Sequence, residues 1–149
     1  MMPVSLSILD AVYANMVHRV VYDFGGKAAD LAEDTSLITG IDCSGFVRYI
    51  LARATHGALV VPDGSSNMHA WAEANLRELV QYSDVQEAEG DPSRLFIAFI
   101  PPAPIGHVWL VRGGMTRESH GGRGVDSRPW NTPILLREAE GAYELVTTA

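Results

Sequence analysis

The 149-residue sequence has a single cysteine. One thiol cannot close an intramolecular disulfide, and it cannot fill a four-cysteine zinc site. Basic residues are also scarce. Eleven Lys+Arg stand against 18 Asp+Glu, a formal net charge of −7 with His neutral. That balance lacks the basic footprint of a nucleic-acid binder, so no nucleic-acid partner is expected. Long apolar runs are missing as well. The most apolar stretch, residues 95–111, is broken by Pro101, Pro102 and Pro104 and carries His107, which excludes a membrane span there. Met1-Met2-Pro3-Val4-Ser5 shows no basic segment leading into an apolar one, so no secretory signal is visible. No repeat, low-complexity tract or linker divides the chain, and its length fits a single domain over residues 1–149.

What is present is patterned. Leu9, Val12, Tyr13, Met16, Val17 and Val20 step by three and four and predict an amphipathic helix. Ser5 or Ser7 is its cap, and Asp10 favours its first turn. Residues 27–41 predict a loop with a short helical turn. A second helix is predicted over residues 43–56, with Asp42 as cap, Phe46, Val47, Ile50, Leu51 and Ala54 inward, and Gly57 as stop. Ser65 or Ser66 caps a third, with Met68, Trp71, Ala72, Leu76 and Leu79 inward, ending near Val80. The period then changes. Residues 95–100, 108–112, 115–120, 134–137 and 143–146 predict strands, with Gly113-Gly114 as a two-residue hairpin turn. Helices precede strands, so the expected class is α+β with an antiparallel sheet.

Cys43 stands where the second helix begins. A helix N-terminus carries partial positive charge, which favours thiolate over thiol. Its free backbone N–H groups are also suited to an oxyanion. A cysteine nucleophile needs a base, usually His, and the base needs an orienting partner. With Gly113 and Gly114 as the turn, Arg112 faces Met115, and the same register sets His107 opposite His120. Such partners share one face of the sheet with Cβ atoms about 4.5–5.5 Å apart. Trp109 and Glu118 fall on that same face.

These residues resemble the NlpC-type, papain-like cysteine peptidases of bacterial cell walls. Asp42-Cys43-Ser44-Gly45-Phe46-Val47 looks like the family's nucleophile motif, and Tyr22-Asp23-Phe24-Gly25-Gly26 like its upstream segment. Gly106-His107-Val108 resembles its histidine strand, and His120 its third polar member. The likeness covers residues 22–130. It implies a papain-like fold with the cysteine helix packed on an antiparallel sheet. It also implies hydrolysis of amide bonds in peptidoglycan stem peptides, often between D-glutamate and a diamino acid, without metal or cofactor. By that resemblance Cys43 is the nucleophile, His107 the base and then acid, and His120 the group that orients His107. Tyr22 assists the oxyanion beside the Cys43 N–H.

The sequence departs from the family where Asp91-Pro92-Ser93-Arg94-Leu95 leads into the strands, at the bulky Trp109, and in the longer insert between Gly26 and Cys43. Compactness also resembles amidase effectors of type VI secretion systems and phage-borne relatives, which implies an immunity, tail or secretion partner and delivery by such a route. The other readings of the same site are a non-catalytic wall-binding or phage-tail component and an acyltransferase. Asp42, Ser44, Ser65, Trp109 and Arg123 are the expected substrate-binding residues. Gly121-Gly122-Arg123-Gly124 reads as a cleft wall rather than a phosphate loop, with Arg123 or Arg128 placed to meet a substrate carboxylate. Trp130 is a further candidate pocket residue. His18, His56 and His69 sit at no metal-ligand spacing.

Overall fold

The computed structural model describes residues 2–101, 106–130 and 141–149. The chain opens with β1 (Val4–Ser5) and α1 (Leu6–Met16). Ser5 caps α1 by accepting a hydrogen bond from the Ile8 N–H at 3.3 Å. The helix stops earlier than its apolar stripe, because His18 turns into the left-handed region at φ 61°. Asp10 does not serve the first turn. It instead pairs with Arg112 at 2.9 Å and with Arg117, tying α1 to the sheet.

β2 (Val21–Tyr22) pairs in parallel with β3 (Gly40–Ile41), which delivers the chain into α2 (Cys43–Ala54). The intervening residues carry one short 3₁₀ turn, Thr35–Leu37. α3 (Ser65–Asn75) starts at Gly64, with neither serine capping it through its side chain, and ends five residues before Val80. The strand β4 (Arg77–Glu78) takes over. α4 (Tyr82–Gly90) was not expected. Its buried stripe is only Val85 and Ala88, too thin to register as periodicity.

β5 (Leu95–Ile100), β6 (His107–Arg112), β7 (Met115–His120), β8 (Gly124–Asp126) and β9 (Ala142–Leu145) complete the main sheet. Its order is β4-β9-β5-β6-β7-β8, antiparallel throughout. β10 (Thr147–Thr148) returns to pair in parallel with β1. The hairpin register is the expected one: Arg112 faces Met115, with Gly113 and Gly114 both at positive φ. The strand expected at 134–137 lies outside the described residues. β8 begins at the last residue of the glycine-rich stretch read as a cleft wall, and residues 121–123 form a turn before it.

The sheet alternates cleanly. Ile97, Phe99, Val108 and Leu110 pack with Phe46, Val47 and Ile50 of α2. Phe96, Ala98, Trp109 and Val111 face the other way, onto Trp130 and the Val85 and Ala88 of α4. Burying Phe46 completely is worth about 2–3 kcal/mol. That contact holds the N-terminal half of α2 against β6. The fold is therefore α+β with the cysteine helix on an antiparallel sheet.

β8 crosses very close to β2. Gly124 has φ +79°, and a Cβ there would lie 2.2 Å from the Val20 carbonyl oxygen, while the Val125 N–H donates to that oxygen at 2.9 Å. Gly124→Ala is expected to destabilise the protein by more than about 2 kcal/mol. The control Gly121→Ala, where a Cβ meets nothing within 4 Å, is expected to change stability by less than about 1 kcal/mol. Urea unfolding of the two variants checks this.

Candidate active site

The cysteine is set by its backbone. Asp42 is extended (φ −87°, ψ −178°), and its Oδ1 accepts the Gly45 N–H at 2.6 Å, which starts α2 at Cys43. The Asp42 N–H donates to the Gly26 carbonyl at 3.0 Å. A Cβ on Gly45 would sit 2.8 Å from that same carbonyl oxygen and 2.8 Å from Asp42 Oδ1. Only glycine lets the first helical turn lie directly on the Gly26 backbone. Cys43 ends 8% exposed, a largely covered thiol with one open side.

That side faces a cleft of about 410 Å³. Tyr22, Lys27, Asp42, Cys43, Ser44 and Ser65 line it, and Phe24 forms an exposed rim. Of the expected site residues, Tyr22, Asp42, Ser44 and Ser65 line this cleft together with the thiol. Lys27 was not anticipated, because it lies in a stretch with no motif. Its Nζ donates to Asp42 Oδ1 and Oδ2 at 2.6 and 2.5 Å and to Ser44 Oγ at 2.9 Å, and it reaches Asp63 at 3.2 Å. Burial alone would lower the Lys27 pKa, but the bonds to Asp42 and Asp63 outweigh it and raise it. Asp42 therefore spends its oxygens on the helix cap and on Lys27. Burial raises the Tyr22 phenol pKa, with the neighbouring Cys43 adding to the effect, so the hydroxyl keeps its proton.

His107 opens β6 with its side chain 17% exposed. The ring lies close enough to Cys43 for the thiol to act on its protonation. Its Nε2 meets Glu118 Oε1 at 2.7 Å. Burial pushes the imidazolium pKa down, but the neighbouring Cys43 and the bond to Glu118 outweigh it and hold the pKa at about 9. Glu118 is fully buried. Burial there favours the acid form, yet bonds from His107, Arg128 and Thr116 hold its pKa down at about 2.

Three expectations are corrected. His120 does not contact His107 through a hydrogen bond. Its Nε2 is buried without a hydrogen-bond partner among the described residues, and the nearest carboxylate oxygen, of Asp126, is 3.7 Å away. Glu118, two residues before His120 on β7, takes the ring instead, through a charged oxygen at 2.7 Å. Burial lowers the His120 pKa and favours the neutral ring. Trp109 lines no cleft: it is wholly buried, stacked against His107 with centroids 5.4 Å apart and packed on Trp130, itself core. Arg123 lies outside the cleft with its side chain 72% exposed, 4.0 Å from Asp126. Arg128, the other arginine considered for a substrate carboxylate, is turned inward onto Glu118 at 2.7 Å. Sequence pattern put Glu118 on the right face, and an acid in a buried strand position was the available signal.

The shifts fix a pH dependence. His107, raised to about 9 in the fold, contributes stability fully present below its ordinary value of about 6.5 and lost as pH rises through about 9. Glu118, lowered to about 2, contributes stability present above about 4.5 and lost as pH falls through about 2. The stability advantage of the wild type over His107→Ala is expected to be greatest between about pH 4.5 and 6.5, shrinking on both sides. Denaturant unfolding of both proteins across pH checks it.

No family model matches the sequence, and no curated protein matches it. Solved structures do. The P60 domain of an antigen from M. avium subspecies paratuberculosis is 21% identical at TM-score 0.59, over 96% of this chain and 95% of that one. An NlpC/P60 family protein from Bacillus cereus is 22% identical at TM-score 0.62, over 95% of this chain and 40% of that one. RipD from Mycobacterium tuberculosis, described as a non-catalytic NlpC/p60 domain protein adapted to peptidoglycan binding, is 20% identical at TM-score 0.54, over 95% and 96%. With its cysteine helix laid on an antiparallel sheet, this chain has the fold of the NlpC/P60 proteins.

Proposed function

We propose that this protein is a cysteine peptidase or amidase of the NlpC/P60 family, one catalytic domain over residues 1–149, acting on amide bonds of peptidoglycan stem peptides. The D-glutamyl–diamino acid bond is the favoured target. The observation that carries the reading is His107, bonded to the buried Glu118 at 2.7 Å and brought close enough to Cys43 to shift its own pKa, with the Cys43 thiol lining an open cleft. A core histidine would be satisfied by structural partners alone, whereas this one meets a thiol at a helix N-terminus. RipD is described as non-catalytic. Here the thiol–imidazole pair supports catalysis, so the binding-only reading ranks second.

In this reading the Cys43 thiolate attacks the amide carbonyl carbon, forming a C–S bond and an oxyanion. The Cys43 N–H and the Tyr22 hydroxyl donate to that oxyanion. The His107 imidazolium gives its proton to the leaving nitrogen, the C–N bond breaks, and a thioester remains. His107, now neutral, takes a proton from water. The resulting hydroxide attacks the thioester, the C–S bond breaks, and the thiolate returns. This chemistry calls on no metal or cofactor. Asp42, Ser44, Lys27 and Ser65 form the polar wall against which the peptide lies.

Digestion of purified peptidoglycan, with muropeptides resolved by mass, tests the reading. Cys43→Ala is expected to lower product release by at least about 10³-fold, and Tyr22→Phe by about 10²-fold. Wall binding without cleavage by the wild type would overturn the peptidase reading. Amide products formed with added amines would instead identify an acyltransferase.

A further inference from the structure

We propose that Glu118, fixed by Arg128, is the positioning residue for His107, and that His120 takes no part in holding that ring. The role deepens the peptidase reading and rests on it for its meaning, but it is argued from hydrogen bonds that exist without substrate.

The carboxylate of Glu118 has every acceptor engaged. Oε1 accepts from His107 Nε2 at 2.7 Å and from Arg128 Nη2 at 2.7 Å. Oε2 accepts from Arg128 Nε at 3.0 Å and from the Thr116 hydroxyl. A carboxylate offers about four lone-pair sites, and four donors fill them. The Arg128 contact is the two-toothed fork of a guanidinium on a carboxylate, which fixes plane as well as position. Thr116 is itself pinned, its Oγ1 accepting the Arg128 N–H at 2.8 Å. Glu118 therefore cannot rotate away from His107 without breaking several charge-assisted bonds at once. The Nε2 edge of the ring is thereby held on Glu118.

His120 offers none of this. Its Nε2 is buried without a hydrogen-bond partner among the described residues, although it lies on the same strand. A neutral imidazole orients a neighbour only by its dipole, while a carboxylate adds a full charge. The other groups that act on this cluster are Cys43 of α2, Tyr13 of α1, His120 of β7, Asp126 of β8 and Arg128.

Opposite charges at Glu118 and Arg128 give the test a sign. Removing the carboxylate takes a negative charge from His107, and removing the guanidinium takes away a positive one. A merely structural role would move both variants the same way. The experiment is an NMR titration of the His107 ring in the full chain, for wild type, Glu118→Gln, Arg128→Gln and His120→Ala. Relative to wild type, the His107 pKa is expected to fall by at least about one pH unit in Glu118→Gln, to rise in Arg128→Gln, and to stay within about 0.3 in His120→Ala. An unchanged midpoint in Glu118→Gln, or a fall of the same size in His120→Ala, would overturn the proposal. If Glu118→Gln fails to fold, Arg128→Gln decides: a rise supports the role, and no change or a fall rejects it. The readout needs no turnover. Expected shifts in a wild type that releases no muropeptides would reject the peptidase reading and leave the positioning role standing.

Discussion

The first turn of α2 lies on bare backbone, and the site depends on that contact. Gly45 and Gly26 meet with no space for a methyl group between them. The Asp42 side chain closes the helix cap, and its own N–H closes onto Gly26. Cys43 is thereby held at a fixed height above the sheet, beside Tyr22, whose strand pairs with β3 just upstream. Lys27 extends the same arrangement outward, from Asp42 and Ser44 to Asp63. One close approach of two glycines thus sets the thiol, the phenol and the cleft wall together.

Across the cleft the sheet contributes charge. A wholly buried carboxylate would be costly alone, and here it is neutralised from two sides, by a guanidinium and by an imidazolium. Trp109 stacks on the His107 ring and packs against Trp130, so one side of that cluster is apolar. Low polarity strengthens each bond inside, so the histidine is held by electrostatics as much as by packing.

Much of this was legible in the residues. The stripe Phe46, Val47, Ile50 and the Asp42 cap define α2 locally, and Gly113-Gly114 defines the hairpin, so the register of β6 on β7 followed. What was not legible depended on partners distant in sequence or on weak local signals. The role of Glu118 is created by Arg128, ten residues away beyond another strand, and local alternation says nothing of that. Trp109 looked like a cleft residue because its neighbour His107 is one, yet a position two residues along a strand from the edge is already core. α4 has two buried side chains and owes its place to tertiary packing. β8 exists because Gly124 admits a close crossing over β2, a demand visible only once β2 is in place.

The pairing of β1 with β10 has a mechanical side. The two strands run in parallel, with Val4 beside Thr147 and the Val4 N–H bonded to the Val146 carbonyl at 2.8 Å. Tension applied toward the N-terminal side of Val4 and the C-terminal side of Thr148 slides the strands along each other. Their hydrogen bonds then share the load in shear rather than opening one after another as a zipper does. β1 and β10 together make a small tensile clasp.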